Sequence, residues 1–557
     1  MAGNSLRAND IALQVVGQNI ANANTPGYIR EELVLKPAVT QKLGGLLLGL
    51  GVQVEAVVQK VDRFLEERLR SAVSDRASAE TLQQTYSQLE ASIGELSDTD
   101  LSTSMNGFFS SISEILNQPE SVIVRNLAVL QGQTLAQDIS RMAQRVEDLR
   151  TYIDNRIQNM ASDINRRIEQ IADLNVKISE AEGGSVSKSD AVGLRDQRSN
   201  ALEELAKLMD IRAIEQPDGT VTVYSSGDFL VYAGMSRSVE VVLDTENGSN
   251  TAEIHISETD AKIEPASGEL HGMIDSRDRV LGGYLDNLDD FAKTLVFEFN
   301  KIYSSGQGLS GYTTLTSEYG VDDSSNALSD AGLPFTPQNG SFQILVRNKE
   351  TGLTQTTDIL VDLNGALHDM TLDDLKTALD GIDGISAEIM VDGKLKIDSQ
   401  SSDSEFAFAN DTSGVLAALG LNVFFTGTSA QDININAAIK ADPAKFAASR
   451  GGIAVDTANA VTLANFLDYP IQSQNNQTIG DLYSRMTDDI AQDSATAQSI
   501  SDGAQTFESS LRGQQLAISG VNLDEEAIKM ISYQRAYQAS AKFIAAIAEL
   551  FEVLVNI

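Results

Sequence analysis

Cysteine and tryptophan are absent from this chain of 557 residues. The first absence excludes disulfides, thiolate metal sites and cysteine nucleophiles. Histidine occurs only as His255, His271 and His368, scattered through stretches of different character. A histidine-based catalytic or zinc site needs close partners that this spacing does not supply. Positive charge is scarce as well: 41 Lys and Arg face 79 Asp and Glu, for a formal net charge of −38. A field of that sign repels nucleic acid and anionic lipid, so neither nucleic acid nor a membrane is expected as a partner. Long apolar runs are also missing. The most apolar short stretch, Leu43 to Val58, is broken by Gly44, Gly45, Gly49 and Gly51 and holds Gln53 and Glu55. It falls short of the ~20 residues of a membrane helix. The start, Met1 to Arg7, shows no basic region followed by an apolar core, so no Sec-type signal peptide is visible.

What is present is periodicity. Leu523, Ala527, Met530, Gln534, Tyr537, Ala541, Ile544, Ala548, Phe551 and Val555 alternate steps of four and three. That alternation lines them along one side of a helix under-wound toward 3.5 residues per turn. Leu6, Asn9, Leu13, Val16 and Ile20 follow the same rule near the N-terminus. A solitary terminal helix is marginal in water. The two ends are therefore expected to pair with each other and with neighbouring copies, and to order on assembly. Asn9 and Gln534 sit on the two seams, where a buried amide can fix register. A chain ending in two such helices suits assembly better than catalysis, and no enzymatic activity and no cofactor are expected.

Between the ends, helices and β stretches alternate. The first helix stops by about Ala23, because Thr25 precedes Pro26 and is pushed out of helical geometry; Pro26-Gly27 then turns the chain. The longest helix is predicted from Thr134 to Glu182. Its apolar stripe of Leu135, Ile139, Met142, Val146, Leu149, Ile153, Ile157, Met160, Ile164, Ile168, Ile171, Leu174 and Ile178 repeats at a mean near 3.6, the spacing of a straight bundle spine. Its companions are predicted at Ser74–Ser97, Ser189–Met209, Ser276–Tyr303 and from about Ile479 to Gly520. Thr220-Val221-Thr222-Val223-Tyr224 after Pro217-Asp218-Gly219 reads as a β hairpin. Short β runs at Phe342–Val346 and Lys394–Ile397 flank an amphipathic helix near Leu372–Leu379. The fold class that follows is mainly α with β-rich insertions, a multidomain α+β chain with paired terminal coiled-coil helices, a long-helix rod and outer β domains. Its parts are a terminal helix and turn (1–45), rod segments (46–209, 270–305 and 442–518), β-rich insertions (210–269 and 306–441) and a C-terminal coiled-coil helix (519–557).

Candidate chemistry is thin. Gly44-Gly45 lacks the Lys-Ser/Thr pair of a phosphate loop and reads as a tight backbone crossing. Asp98–Phe109 has Thr103 and Phe109 where a calcium loop needs Gly and Glu, so a helix cap is the better reading and no metal site is expected. The carboxylate pairs Asp322-Asp323 and Glu525-Glu526 read as solvated surface in so acidic a chain.

Two motifs carry more information. Gly17-Gln18-Asn19-Ile20-Ala21-Asn22-Ala23-Asn24-Thr25-Pro26-Gly27-Tyr28 resembles the N-terminal motif of bacterial flagellar rod, hook and hook-associated proteins. Ser519-Gly520-Val521-Asn522-Leu523-Asp524-Glu525-Glu526-Ala527 and Tyr533-Gln534-Arg535-Ala536-Tyr537-Gln538-Ala539-Ser540-Ala541-Lys542 resemble their C-terminal motif. Interior stretches resemble the hook-associated members of that family. They are Gly49-Leu50-Gly51-Val52, Asp62-Arg63-Phe64-Leu65 with Leu69-Arg70, Leu194-Arg195-Asp196-Gln197-Arg198, and Gly268-Glu269-Leu270-His271-Gly272 with Ser276-Arg277-Asp278.

The resemblance implies a structural axial component at the junction of hook and filament, self-assembled as a ring of about eleven subunits. It implies hook protein and a second, filament-side hook-associated protein as neighbours, and an export chaperone binding the C-terminal region. Export through the flagellar type III channel would place the chain outside the cell, in the flagellum. It also implies an interface made by Leu6, Leu13, Val16, Ile20, Leu523, Ala527, Met530, Gln534, Tyr537, Ala541, Ile544, Ala548 and Phe551, with a turn of Asn22, Thr25, Pro26, Gly27 and Tyr28. The alternatives are a hook or distal rod subunit of the same family, or a secreted adhesin or hydrolase housed in Gly306–Ala441.

Overall fold

The computed structural model describes residues 1–43, 46–94, 100–183, 189–246, 249–365 and 368–556. The Gly44-Gly45 crossing and Asp98 lie outside them. The chain divides into two compact units, residues 1–85, 151–278 and 494–557 in one, and 86–150 and 279–493 in the other.

In the first unit, helix Ala2–Asn22 leads through a turn into strand Glu31–Pro37, paired antiparallel with Val52–Gln59 across a bulge at Val34/Leu35. The alternating valines of the second strand set this ribbon. Parts of helices Arg63–Ile93, Val122–Gly183 and Ile479–Ser519, with Val192–Leu208, make up the helical body of this unit. Leu65, Leu69, Ala72 and Val73 pack against Leu511 there. Of the predicted spine stripe, Ile153, Ile157, Met160, Ile164, Ile168, Ile171, Leu174 and Ile178 are all buried, as a helix with an apolar stripe facing a core requires.

The hairpin expected after Pro217 is present: Arg212–Glu215 pairs with Val221–Ser225 in a four-stranded antiparallel sheet completed by Asp228–Tyr232 and Met235–Ser236. A three-stranded sheet follows, with Ser249–Ile256 at its centre. The long helix holds these sheets by side-chain amides. Buried Asn175 donates to the carbonyls of Val221 (2.8 Å) and Ala233 (2.7 Å) and accepts from the Val221 amide (3.0 Å). Asn165 makes the same two-way contact with Val239, at 2.8 and 2.7 Å. The amide group thus stands in for a neighbouring strand and satisfies backbone that burial would otherwise orphan.

In the second unit, Leu101–Asn117 is capped by Asp100, whose carboxylate accepts from the Thr103 amide at 2.7 Å. Helix Gly283–Tyr303, preceded by the π-helical turn Ser276–Gly282, packs its aromatic side into a cluster of Phe108, Phe109, Phe299, Phe424, Phe425 and Phe466. The β-rich part has two three-stranded antiparallel sheets. One orders Thr354–Val361, Gly340–Asn348 and Ser404–Ala409; the other orders Thr314–Thr316, Leu395–Ser399 and Ile385–Ile389. Leu372–Asp380 lies against them through buried Leu372, Leu375 and Leu379, its start held by a capping box of Thr371 and Asp374. Residues 442–478 are less helical than the sequence suggests. They hold only Ala458–Ala464 and short 3-10 turns, and the long helix begins at Ile479.

Candidate assembly interface at the paired chain ends

Helix Leu523–Val555 is capped by Asn522, whose side chain accepts from the amides of Asp524 and Glu525. It lies antiparallel to Ala2–Asn22. The contacts Asn19–Glu526 (3.1 Å) and Ser5–Ser540 (3.2 Å) fix the register, so that Met1 falls opposite about residue 544.

The covered seam runs one position away from the expected stripe. On the N-terminal helix Ala8, Ala12, Val15, Val16 and Asn19 are buried, while Leu6, Leu13 and Ile20 are half-buried at its edge. Small alanines at two seam positions let the helices approach closely and push the leucines aside. On the C-terminal helix Met530, Tyr537 and Ala541 are half-buried, whereas Leu523, Ala527, Gln534, Ile544, Ala548 and Phe551 are exposed. Asn9 is half-buried and its side chain donates to the Ser5 hydroxyl at 3.5 Å. Ile528, Ile531, Phe543, Leu550, Leu554 and Val555 are exposed as well, with Phe551 at 64% and Leu554 at 72%. These side chains give one helix a large bare apolar surface.

A buried polar cluster locks the seam at its far end. Asn19, 1% exposed, donates to Glu526 and to the Glu31 carbonyl (3.0 Å), and accepts from the Tyr28 hydroxyl (2.9 Å) and the Glu31 amide (2.9 Å). All four hydrogen bonds open to an amide side chain are made. Arg30 reaches Glu526 at 2.6 Å and Glu525 at 3.1 Å, while its own amide donates to the Ser519 carbonyl. Lys529 adds a third contact to Glu526 at 3.1 Å. Burial raises the Glu526 carboxyl, but the hydrogen bonds from Asn19, Lys529 and Arg30 outweigh it and hold the group below the usual carboxylate range.

This corrects the solvated reading of Glu525-Glu526. Glu525 is largely exposed, yet Glu526 is 0% exposed, because partners on three sides replace its water. A signal was present in the sequence, since acids in the first turn of a helix sit at its positive end.

The predicted turn residues build the exit from the seam. Thr25 donates from its amide to the Asn22 carbonyl (2.9 Å) and from its hydroxyl to the Asn22 side chain (3.3 Å), and Pro26 is exposed in the turn. The Tyr28 amide returns to the Thr25 carbonyl. Gly27 adopts φ +74°, and a Cβ there would meet the Asn200 side chain at 2.2 Å. Gly27→Ala is expected to cost about 1–3 kcal/mol, from a left-handed backbone and the displaced Asn200, read as a lower denaturant midpoint.

Beneath the turn, Asp196 accepts from Gln59 at 2.5 Å and from the Ile29 amide. Burial pushes its carboxyl up to about 7 against those hydrogen bonds. The folded form therefore binds a proton that the unfolded chain releases near 4, so stability falls as pH rises from about 4 to about 7. Asp196→Asn keeps an oxygen as acceptor for Gln59 and removes the titrating proton. It is expected to match the parent near pH 4 and exceed it at pH 8 in chemical unfolding.

Comparison with known proteins agrees with this arrangement. Residues 86–316 match the model of the flagellar hook-associated protein FlgK helical domain. Residues 1–28 match that of flagella basal body rod proteins, and 512–557 that of the flagellar basal body rod FlgEFG protein C-terminal region. Flagellar hook-associated protein 1 of Salmonella typhimurium is 25% identical over 571 residues, covering 100% of this chain and 99% of that protein. The protein of the same name from Escherichia coli is 25% identical over 580 residues (100% and 98%), and that from Bacillus subtilis 23% over 573 (100% and 97%). The solved flagellar hook junction protein FlgK of Burkholderia pseudomallei superposes with a TM-score of 0.52 at 15% identity, over 81% of this chain and 100% of that one, a likeness of fold.

Proposed function

Since the chain belongs to the flagellar hook-associated protein family, we propose that it is a non-enzymatic axial subunit at the junction of hook and filament, joined to its copies through its terminal helices. The observation that carries this is the apolar side of the C-terminal helix that its N-terminal partner leaves uncovered: Ile528, Ile531, Phe543 and Ile544 stay exposed within the paired length. Neighbouring copies would cover that face, closing about one helical turn of eleven subunits. The buried cluster of Asn19, Arg30 and Glu526 sets register, as polar groups in a seam do, and the Pro26-Gly27 turn directs the chain outward. Hook protein on one side and a filament-side hook-associated protein on the other are the neighbours this reading requires. An export chaperone shielding the C-terminal helix before secretion suits the same bare face. The long-helix match over 86–316 favours the junction over a rod or hook subunit. Electron microscopy of a deletion strain tests the proposal: intact hooks, no filaments and flagellin shed into the medium are expected. Normal filaments would overturn it.

A further inference from the structure

Two sequence stretches singled out above, Asp62 to Arg70 and Leu194 to Arg198, play no part in the paired helices. They converge on one cavity of about 670 Å³ in the first unit. Arg63, Arg70, Arg195, Arg198 and Arg212 line it, five of the 41 basic residues in a chain of net charge −38. The carboxylates on its wall are Glu66, Glu67, Asp190 and Glu215. The lining therefore sets five guanidinium groups against four carboxylates, and Glu182, which does not line the cavity, also neutralises Arg195.

Not all the guanidinium groups are matched. Arg63 and Arg195 share Glu215, at 2.8 and 2.7 Å, and Arg195 also holds Glu182 at 2.7 Å. Among the described residues Arg198, 4% exposed, is bonded only to neutral acceptors, the Asn175 side chain (2.9 Å) and the Gly219 carbonyl (2.6 Å). Arg70 has its nearest carboxylate, Glu66, at 4.0 Å, and its side chain is only 14% exposed. That Glu66 is already engaged by Gln515 at 2.6 Å. Burial holds both Arg70 and Arg198 below the usual guanidinium range, as happens when buried cations lack full counter-charge. Arg212 is exposed at the rim and makes no side-chain hydrogen bond or ion pair among the described residues.

We propose that this cavity is a carboxylate-binding site that receives an acidic side chain of another polypeptide. A guanidinium fork matches a carboxylate in two parallel hydrogen bonds. A carboxylate meets Arg70 and Arg212, neither of which has a carboxylate within hydrogen-bond reach among the described residues, whereas a phosphate dianion brings a second negative charge to a wall that already holds four carboxylates. Arg70 and Arg212 supply the contacts, and Arg198 supplies buried positive field.

The test uses the full chain with its arginine side chains labelled for NMR, titrated with triglutamate. Inorganic phosphate and sodium chloride at matched ionic strength run in parallel. Saturable shifts are expected with triglutamate, including the signal that disappears in Arg70→Gln. Arg212→Gln, a rim change that leaves the fold intact, is expected to weaken binding about tenfold, the size of one charge-assisted contact. Shifts no larger than those with chloride would overturn the site. So would affinity unchanged in both variants, and tighter binding of phosphate would overturn the carboxylate assignment.

Discussion

Ile544→Asp and Phe551→Asp abolish assembly while leaving the subunit folded: this is the expected result for charge placed on the bare side of the C-terminal helix. Both side chains are exposed in the single chain, so neither substitution opens a cavity or buries a charge there. Stability should move by no more than about 0.5 kcal/mol, the usual range for surface changes. In the apolar seam between copies that we propose, an unpaired carboxylate costs several kcal/mol at every subunit. Circular dichroism of the isolated variants should match the parent, and complemented cells should show hooks without filaments. Normal junctions with Ile544→Asp would remove the terminal helices from the interface. Leu13→Asp should behave differently. Its half-buried place beside the intramolecular seam predicts lost stability as well as lost assembly.

Glu526→Ala carries the second large effect. It removes the acceptor for Asn19, Arg30 and Lys529 at once and leaves a buried guanidinium with only the exposed Glu525. Breaking a buried pair on one side costs roughly 3–5 kcal/mol, and the residual Glu525 contact places the expected loss near 3. The loss should appear as faster amide exchange in residues 2–22 and 523–545, with the β-rich part of the second unit unchanged. The same cluster predicts a pH dependence. A carboxylate held below its unfolded value contributes stability above pH ~4.5 and loses it as pH falls through the folded value. In an Asp196→Asn background, which removes the opposing titration beneath the turn, protection of the terminal pair should be level from pH 5 to 8 and fall once the pH drops below the ordinary carboxylate range. Equal exchange in Glu526→Ala and parent would show that the seam is held by its apolar contacts alone.

Periodicity made the helices legible. The stripe predicted for the long helix is buried from Leu135 to Ile178, with Leu149 alone half-buried, and the helix runs further than expected, from Val122 to Gly183. Its first turns were missed because Ile123, Leu127 and Leu130 face water and so lie off the core stripe. The seam of the terminal pair lies one position from the stripe of large apolar residues, because side-chain size does not decide which residues a close helix contact covers. Two alanines bury more completely than the neighbouring leucines where backbones approach closely. The burial of Glu526 is not legible in the sequence, because pairing with Arg30, 496 residues earlier in the chain, leaves no local trace. The run Val415–Phe425, almost wholly buried, escaped notice since an isolated apolar stretch in a Gly- and Ser-rich region has no period to betray it.

The amides of Asn165 and Asn175 have a consequence for how such a protein can change over evolutionary time. They grip main-chain atoms of Val221, Ala233 and Val239, atoms every residue type except proline presents in full. Docking of the sheets at these points is indifferent to which side chains the strands carry. Outward-facing strand positions can thus drift freely, and the surface shown to the surroundings can be rewritten while two helix positions keep it attached.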